Sequence, residues 1–136
     1  MGREIIETDI LVIGGGLAGV FAALKAKEAG TKSVTLVSKG KVGKDSISSF
    51  AAGVYRALFP EDDRDAWAKN IALSEGLGAG LYNEEWLNVW LDESYDVLLD
   101  MDKWGVEWEK TSDGKYERKV ARWNIPVLMF HGPQMM

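Results

Sequence analysis

Cysteine is absent from this chain of 136 residues. That excludes disulfides, thiol catalysis and Cys-ligated Fe–S or zinc centres within it. Histidine is nearly absent too. The single one, His131, argues against a His-rich metal site, and no metal is predicted. No apolar run approaches the roughly 20 residues that span a bilayer, so direct membrane insertion is not expected. The first residues, Met1 to Glu7, are mixed and charged, unlike a secretory signal. Basic charge is also short: 16 Lys and Arg stand against 21 Asp and Glu, a formal charge of −5. A nucleic-acid surface is therefore not the default. Together these absences predict a soluble, cytoplasmic protein.

What is present is a globular composition, with 46% hydrophobic and 27% charged residues. The most informative stretch is Asp9-Ile10-Leu11-Val12-Ile13-Gly14-Gly15-Gly16-Leu17-Ala18-Gly19. It reads as a short buried strand, then G-x-G-x-x-G, then a helix. Gly-rich backbone between a strand and a helix N-terminus makes a pocket for a pyrophosphate. Gly14 allows the tight turn, Gly16 lets phosphates approach the backbone, and Gly19 lets the helix pack closely. The bland alternative is a turn with no ligand.

Leu17 to Ala29 is predicted as a helix. Leu17, Val20, Phe21 and Leu24 recur at helical spacing, and Gly30 suits a left-handed cap. Ser33 to Val37 is a second strand, parallel to the first through a right-handed crossover. A polar loop from Ser38 to Asp45 leads into Ser46-Ile47-Ser48-Ser49-Phe50-Ala51-Ala52-Gly53. These small residues suit a backbone lying close to a bulky ligand, and equally a tight turn or short packed helix.

A helix is predicted from Pro60-Glu61-Asp62-Asp63 to about Ser74. Asn83 caps a longer one carrying Trp86, Leu87, Trp90, Leu91, Val97, Leu98, Met101 and Trp104, which stops at Gly105. Those residues read better as a core-facing stripe than as a stacking surface. Asp113-Gly114 marks a hairpin between Val106–Lys110 and Lys115–Lys119. An ordinary NAD site would have an acid at the end of the second strand, where this chain has Ser38.

The glycine stretch, Leu36-Val37-Ser38-Lys39-Gly40 and the Ser46 to Gly53 run together resemble the flavoprotein subunits of the succinate dehydrogenase/fumarate reductase superfamily. L-Aspartate oxidase and the adenylylsulfate reductase alpha subunit belong to the same superfamily. Trp104-Gly105-Val106 with Asp113-Gly114-Lys115 and Arg118 extends the likeness. Arg122 to Ile125 and His131-Gly132 lean towards the adenylylsulfate branch.

The resemblance implies FAD. Gly14, Gly15, Gly16, Leu17, Ala18 and Gly19 would hold its pyrophosphate, with Ser38 and Lys39 at the adenosine ribose and nearby phosphate. Ser46, Ser48, Ser49, Ala51, Ala52 and Gly53 would run under the flavin end. Some members attach FAD through a histidine just after the matching serine; Ile47 stands there in this chain, so the FAD is expected to be non-covalent.

The implied fold class is α/β: the N-terminal β-α-β of a Rossmann-like FAD-binding fold, then a mainly helical segment and a small hairpin, incomplete relative to the full family fold. Residues 1–136 would be the N-terminal part of a discontinuous FAD-binding domain. Its parts would be a dinucleotide-binding core at 8–55, a helical segment at 60–105, and a hairpin and apolar end at 106–136.

The implied activity is hydride transfer between flavin and a small anionic substrate, a dicarboxylate or related molecule. On the adenylylsulfate branch a flavin–sulfite adduct replaces hydride transfer and an Fe–S partner feeds electrons. No catalytic residue is assigned: His131, Trp123, Arg118 and Arg122 are read as structural or solvated. Two other readings stay open. One is a non-catalytic partial nucleotide-binding module that needs a partner, a homo-oligomer or a further segment to cover its apolar surfaces. The other is an NAD-binding Rossmann protein.

Overall fold

The structure is a computed structural model and describes residues 5–50, 53–73, 77–120 and 125–130. The chain divides into two compact units, Met1–Ala52 and Gly53–Met136.

In the N-terminal unit, β1 (Ile10–Ile13) pairs in parallel with β2 (Val34–Val37) across α1 (Leu17–Glu28), in the register Ile10↔Val34 to Ile13↔Val37. The expected cap closes α1. Gly30 takes a φ of +89°, its N–H donates to the Lys27 carbonyl, and Thr31 N–H donates to the Ala26 carbonyl. The expected burial of α1 and β1 is not found. No residue of α1 is fully buried, Leu17 and Leu24 are exposed, and Ile13 is 82% exposed. Two strands form too narrow a sheet to bury both their own faces and a helix.

The C-terminal unit contains the core. The helix expected from Pro60 begins later, as α2 (Arg64–Leu73). Asp63 supplies its cap, accepting from the N–H groups of Asp65 and Ala66 at 3.0 Å each. Asp62 instead accepts from Phe59 N–H at 2.8 Å. The long helix, α3 (Glu84–Lys103), starts where predicted: Asn83 Oδ1 accepts from Trp86 N–H at 2.9 Å. Its inward face is Leu91, Ser94, Leu98 and Met101, with Leu98 wholly buried. Trp86 was expected on that face and is 76% exposed. It sits in the first turn, beyond the reach of the packing that covers Leu91 and Leu98. Trp90 stacks on Trp67 of α2, their ring centroids 6.0 Å apart.

The hairpin forms around Asp113-Gly114, with Lys110 bridging Tyr116 and Glu117 N–H donating to the Glu109 carbonyl at 2.9 Å. Two strands were not anticipated, β3 (Val54–Tyr55) and β5 (Pro126–Met129). With β4 (Arg118–Val120) they make an antiparallel sheet in the order β3-β5-β4. Pro126–Met129 is thus its central strand, with Val127 and Leu128 buried. Ser94 ties α3 to the segment after β3. Its hydroxyl accepts from Leu58 N–H at 3.0 Å, and its carbonyl accepts from the Tyr55 hydroxyl at 2.9 Å.

Candidate functional site

Gly14 is the pivot of the predicted phosphate loop. Its φ of +120° is open only to glycine, and its N–H continues the sheet by donating to the Val37 carbonyl at 2.8 Å. Gly19, one turn into α1, faces the same turn. A Cβ there would stand 1.9 Å from the Gly14 carbonyl oxygen, so only glycine lets the helix start this close.

Sequence reasoning missed that Gly15 is also sterically required. It is buried, and a Cβ would stand 2.8 Å from Ser38 Oγ and 3.2 Å from Val42 Cα. Its carbonyl accepts from Gly43 N–H at 2.9 Å, which folds the polar loop back over the turn. Asp45 fastens that loop by accepting from Lys41 N–H at 2.8 Å. Ser38 therefore lies against the glycine turn. Lys39 is exposed.

Gly16 differs from its neighbours. A Cβ there would meet Ser46 Cβ and Ser48 Oγ at 3.5 Å, an ordinary contact, so the protein itself leaves this position room. Gly16 caps α1 with no side-chain hydrogen bond. The first N–H groups of a helix have no intrahelical carbonyl to meet. Ser48 Oγ accepts one of them, from Leu17, at 3.1 Å; Ala18 and Gly19 present the next two. Ser46 Oγ is buried without a hydrogen-bond partner.

Within Ser46 to Gly53, Ile47–Phe50 form a single 3-10 turn. It is not packed: Ile47 and Phe50 are 90% and 88% exposed. Ser49 closes it, its N–H and hydroxyl both donating to the Ser46 carbonyl. Ala51 and Ala52 lie outside the described residues, as do Arg122, Trp123 and His131. Gly53 belongs to the C-terminal unit, where its carbonyl accepts from Phe130 N–H at 3.2 Å. The N-terminal unit thus gathers Gly14 to Gly19, Ser38, Ser46 and Ser48 around one helix N-terminus, with Ser49 bonded to Ser46.

Arg118 is not the solvated arginine expected. Its guanidinium makes a two-pronged pair with Asp62 at 3.0 and 2.6 Å and lies 4.3 Å from the Phe59 ring centre. It joins β4 to the start of α2, a packing role. The C-terminal unit also has a hollow of about 470 Å³, walled by Ile71, Tyr82, Trp86, Leu87 and Trp90. None of the predicted site residues lines it. Among the described residues, no group of three or more His, Asp or Glu is placed to hold a metal ion, and no helix is long and apolar enough to cross a membrane.

A β-α-β unit closed by a glycine turn of this form defines a dinucleotide-binding fold. Residues 9–125 match the FAD binding domain family, and the chain belongs to that family. It is 31% identical over 124 residues to a CoM/CoB fumarate reductase subunit of Methanothermobacter marburgensis, covering 88% of this chain and 22% of the relative. It is 29% identical over 109 residues to an uncharacterised FAD-dependent oxidoreductase of Methanocaldococcus jannaschii, covering 80% of this chain and 19% of the relative. With the L-aspartate oxidase of Mycobacterium tuberculosis it shares 29% over 108 residues, 79% of this chain and 20% of the enzyme. The chain spans about a fifth of the length of these relatives. It is an FAD-binding domain similar to a segment of these fumarate reductase and L-aspartate oxidase proteins, and its cofactor is FAD.

Proposed function

We propose that this chain holds the diphosphate and adenosine end of FAD for a flavoprotein that exchanges hydride with a small anionic substrate of the dicarboxylate class. One observation carries the placement. Ser46 Oγ is buried and unpartnered beside Gly16, where the protein leaves space at the N-terminus of α1. A buried hydroxyl without a partner is costly, and a phosphate oxygen entering over Gly16 would satisfy it. The partial positive charge of the helix end favours the same anion.

The residues take distinct parts in this reading. Ala18 and Gly19 N–H face the diphosphate, and Ser46 donates to it. Ser38, held against Gly15, meets the adenosine ribose, with Lys39 beside a phosphate. Bound FAD supplies a two-electron acceptor and donor that these side chains lack. Ile47 replaces the histidine that would anchor it covalently, so FAD is held by these contacts alone. The dicarboxylate reading rests on the names of the fumarate reductase and aspartate oxidase relatives. The groups that bind substrate and move the proton we place outside the segment those relatives share with this chain.

Purified protein should show flavin absorbance that is released intact by denaturation, as non-covalent FAD is. Absorbance that stays with the denatured chain would contradict the non-covalent reading. Folded protein that takes up no FAD would contradict the whole.

A further inference from the structure

The strands that carry the glycine turn are short and poorly covered, so something must hold their register. β1 and β2 share four residue pairs. A two-stranded pair of that length is marginal on its own, and a slip of one residue would reverse every side chain. At the cradle end the ladder is closed by Gly14 N–H on the Val37 carbonyl. At the opposite end Asp9 and Ser33 form a closed ring. Asp9 N–H donates to Ser33 Oγ, Ser33 N–H donates to Asp9 Oδ2, and Ser33 Oγ donates to the same oxygen, each at 2.9 Å. Ile10 N–H on the Ser33 carbonyl, at 3.2 Å, continues the ring into the ladder.

We propose that the Asp9–Ser33 ring is a positioning device for the cofactor site: it sets the register of β1 on β2 and so holds the Gly14–Gly16 turn in the shape that receives the diphosphate. The effect on cofactor rests on the FAD reading above; the effect on register does not. Asp9 acts through the strand. Five residues at about 3.3 Å each put it about 16 Å from Gly14, beyond contact with a phosphate in the cradle. The ring is specific in its chemistry. It needs one side-chain oxygen at position 9 that accepts twice and a hydroxyl at position 33 that donates and accepts at once, and Asp9→Ala or Ser33→Ala breaks it.

The same bonds hold the Asp9 carboxyl below the ordinary carboxylate range, the Ser33 N–H first and its hydroxyl second, with a smaller contribution from Lys27 on α1. Lys27 itself donates to the Thr31 and Lys32 carbonyls in the turn before β2. β2 brings no charged residue to the ring. A depressed carboxylate stabilises the folded state above its unfolded value and loses that contribution as pH falls through the lower folded value. The carboxylate's contribution is therefore complete at neutral pH and is lost only as pH falls through a value below the ordinary carboxylate range.

The experiment compares the full chain with Asp9→Ala, Ser33→Ala and Ser33→Thr. Amide exchange at Gly14 is read without cofactor, FAD affinity is read by flavin fluorescence, and far-ultraviolet circular dichroism from α2 and α3 serves as the folding control. We expect Gly14 exchange to quicken and FAD affinity to fall by about tenfold in Asp9→Ala and Ser33→Ala, the scale of one or two charge-assisted hydrogen bonds. Ser33→Thr, which keeps the hydroxyl, should restore both. Parent FAD affinity should decline as pH falls through a value below the ordinary carboxylate range, and that decline should be absent in Asp9→Ala. Unchanged Gly14 exchange in both broken variants overturns the proposal, as does a Ser33→Thr protein that behaves like Ser33→Ala. A parent chain that binds no FAD overturns the proposed function instead, and Gly14 exchange still decides the register.

Discussion

Gly16 and Gly19 occupy one motif and answer to different constraints. At Gly19 the obstacle to a side chain is the Gly14 carbonyl, part of the backbone turn that launches α1. At Gly16 the nearest atoms leave a methyl group ordinary contact distance. Gly19→Ala should therefore destabilise the fold by roughly 1–3 kcal/mol, seen as a lower denaturant midpoint. Gly16→Ala should leave stability within about 0.5 kcal/mol and weaken FAD binding, because the space it fills belongs to the ligand. Equal stability losses in the two variants would contradict this division. The roles of Gly14 and Gly19 were legible in the sequence because a tight turn and a close helix start demand glycine. The burial of Gly15 against Ser38 and Val42 was not, since it depends on a distant loop folding back over the turn. The same holds for Arg118, whose partner Asp62 is 56 residues distant.

Among the elements, those set by local chemistry were readable and those set by distant pairing were not. α3 has a cap, an acidic first turn, an apolar face and a closing glycine, all within its own span. Asn83→Ala should cost about 1 kcal/mol of stability, and Asn83→Ser should recover most of it, both measured by denaturant unfolding. An Asn83→Ala protein as stable as its parent would show that the Trp86 N–H is satisfied in another way. β3 has two residues, too few for any alternation to register. β5 is a short apolar run, Pro126–Met129, whose strand character comes from pairing with β3 on one side and β4 on the other. The period of α1 was readable, but what covers its apolar positions was not: Val20 and Phe21 are half-buried while Leu17 and Leu24 face solvent.

At the scale of the molecule the two units contrast. In Gly53–Met136, Leu98, Ile125 and Leu128 are fully buried in one core. In Met1–Ala52, Leu11, Ile13 and Val37 of the parallel strands remain exposed. Strands of that composition belong inside a larger parallel sheet covered on both faces. We predict that the chain by itself binds apolar dyes and self-associates with rising concentration, read by dye fluorescence and light scattering. A dye-silent monomer would contradict that prediction.

The central claim is that the glycine turn and the hydroxyls around it form an FAD cradle, and calorimetric titration with FAD and NAD tests it most directly. The account predicts that FAD binds at one equivalent per chain, that NAD at the same concentrations does not, and that Gly16→Ala and Ser46→Ala each weaken FAD while the chain stays folded. Folded chain that ignores FAD, or that prefers NAD, would contradict it.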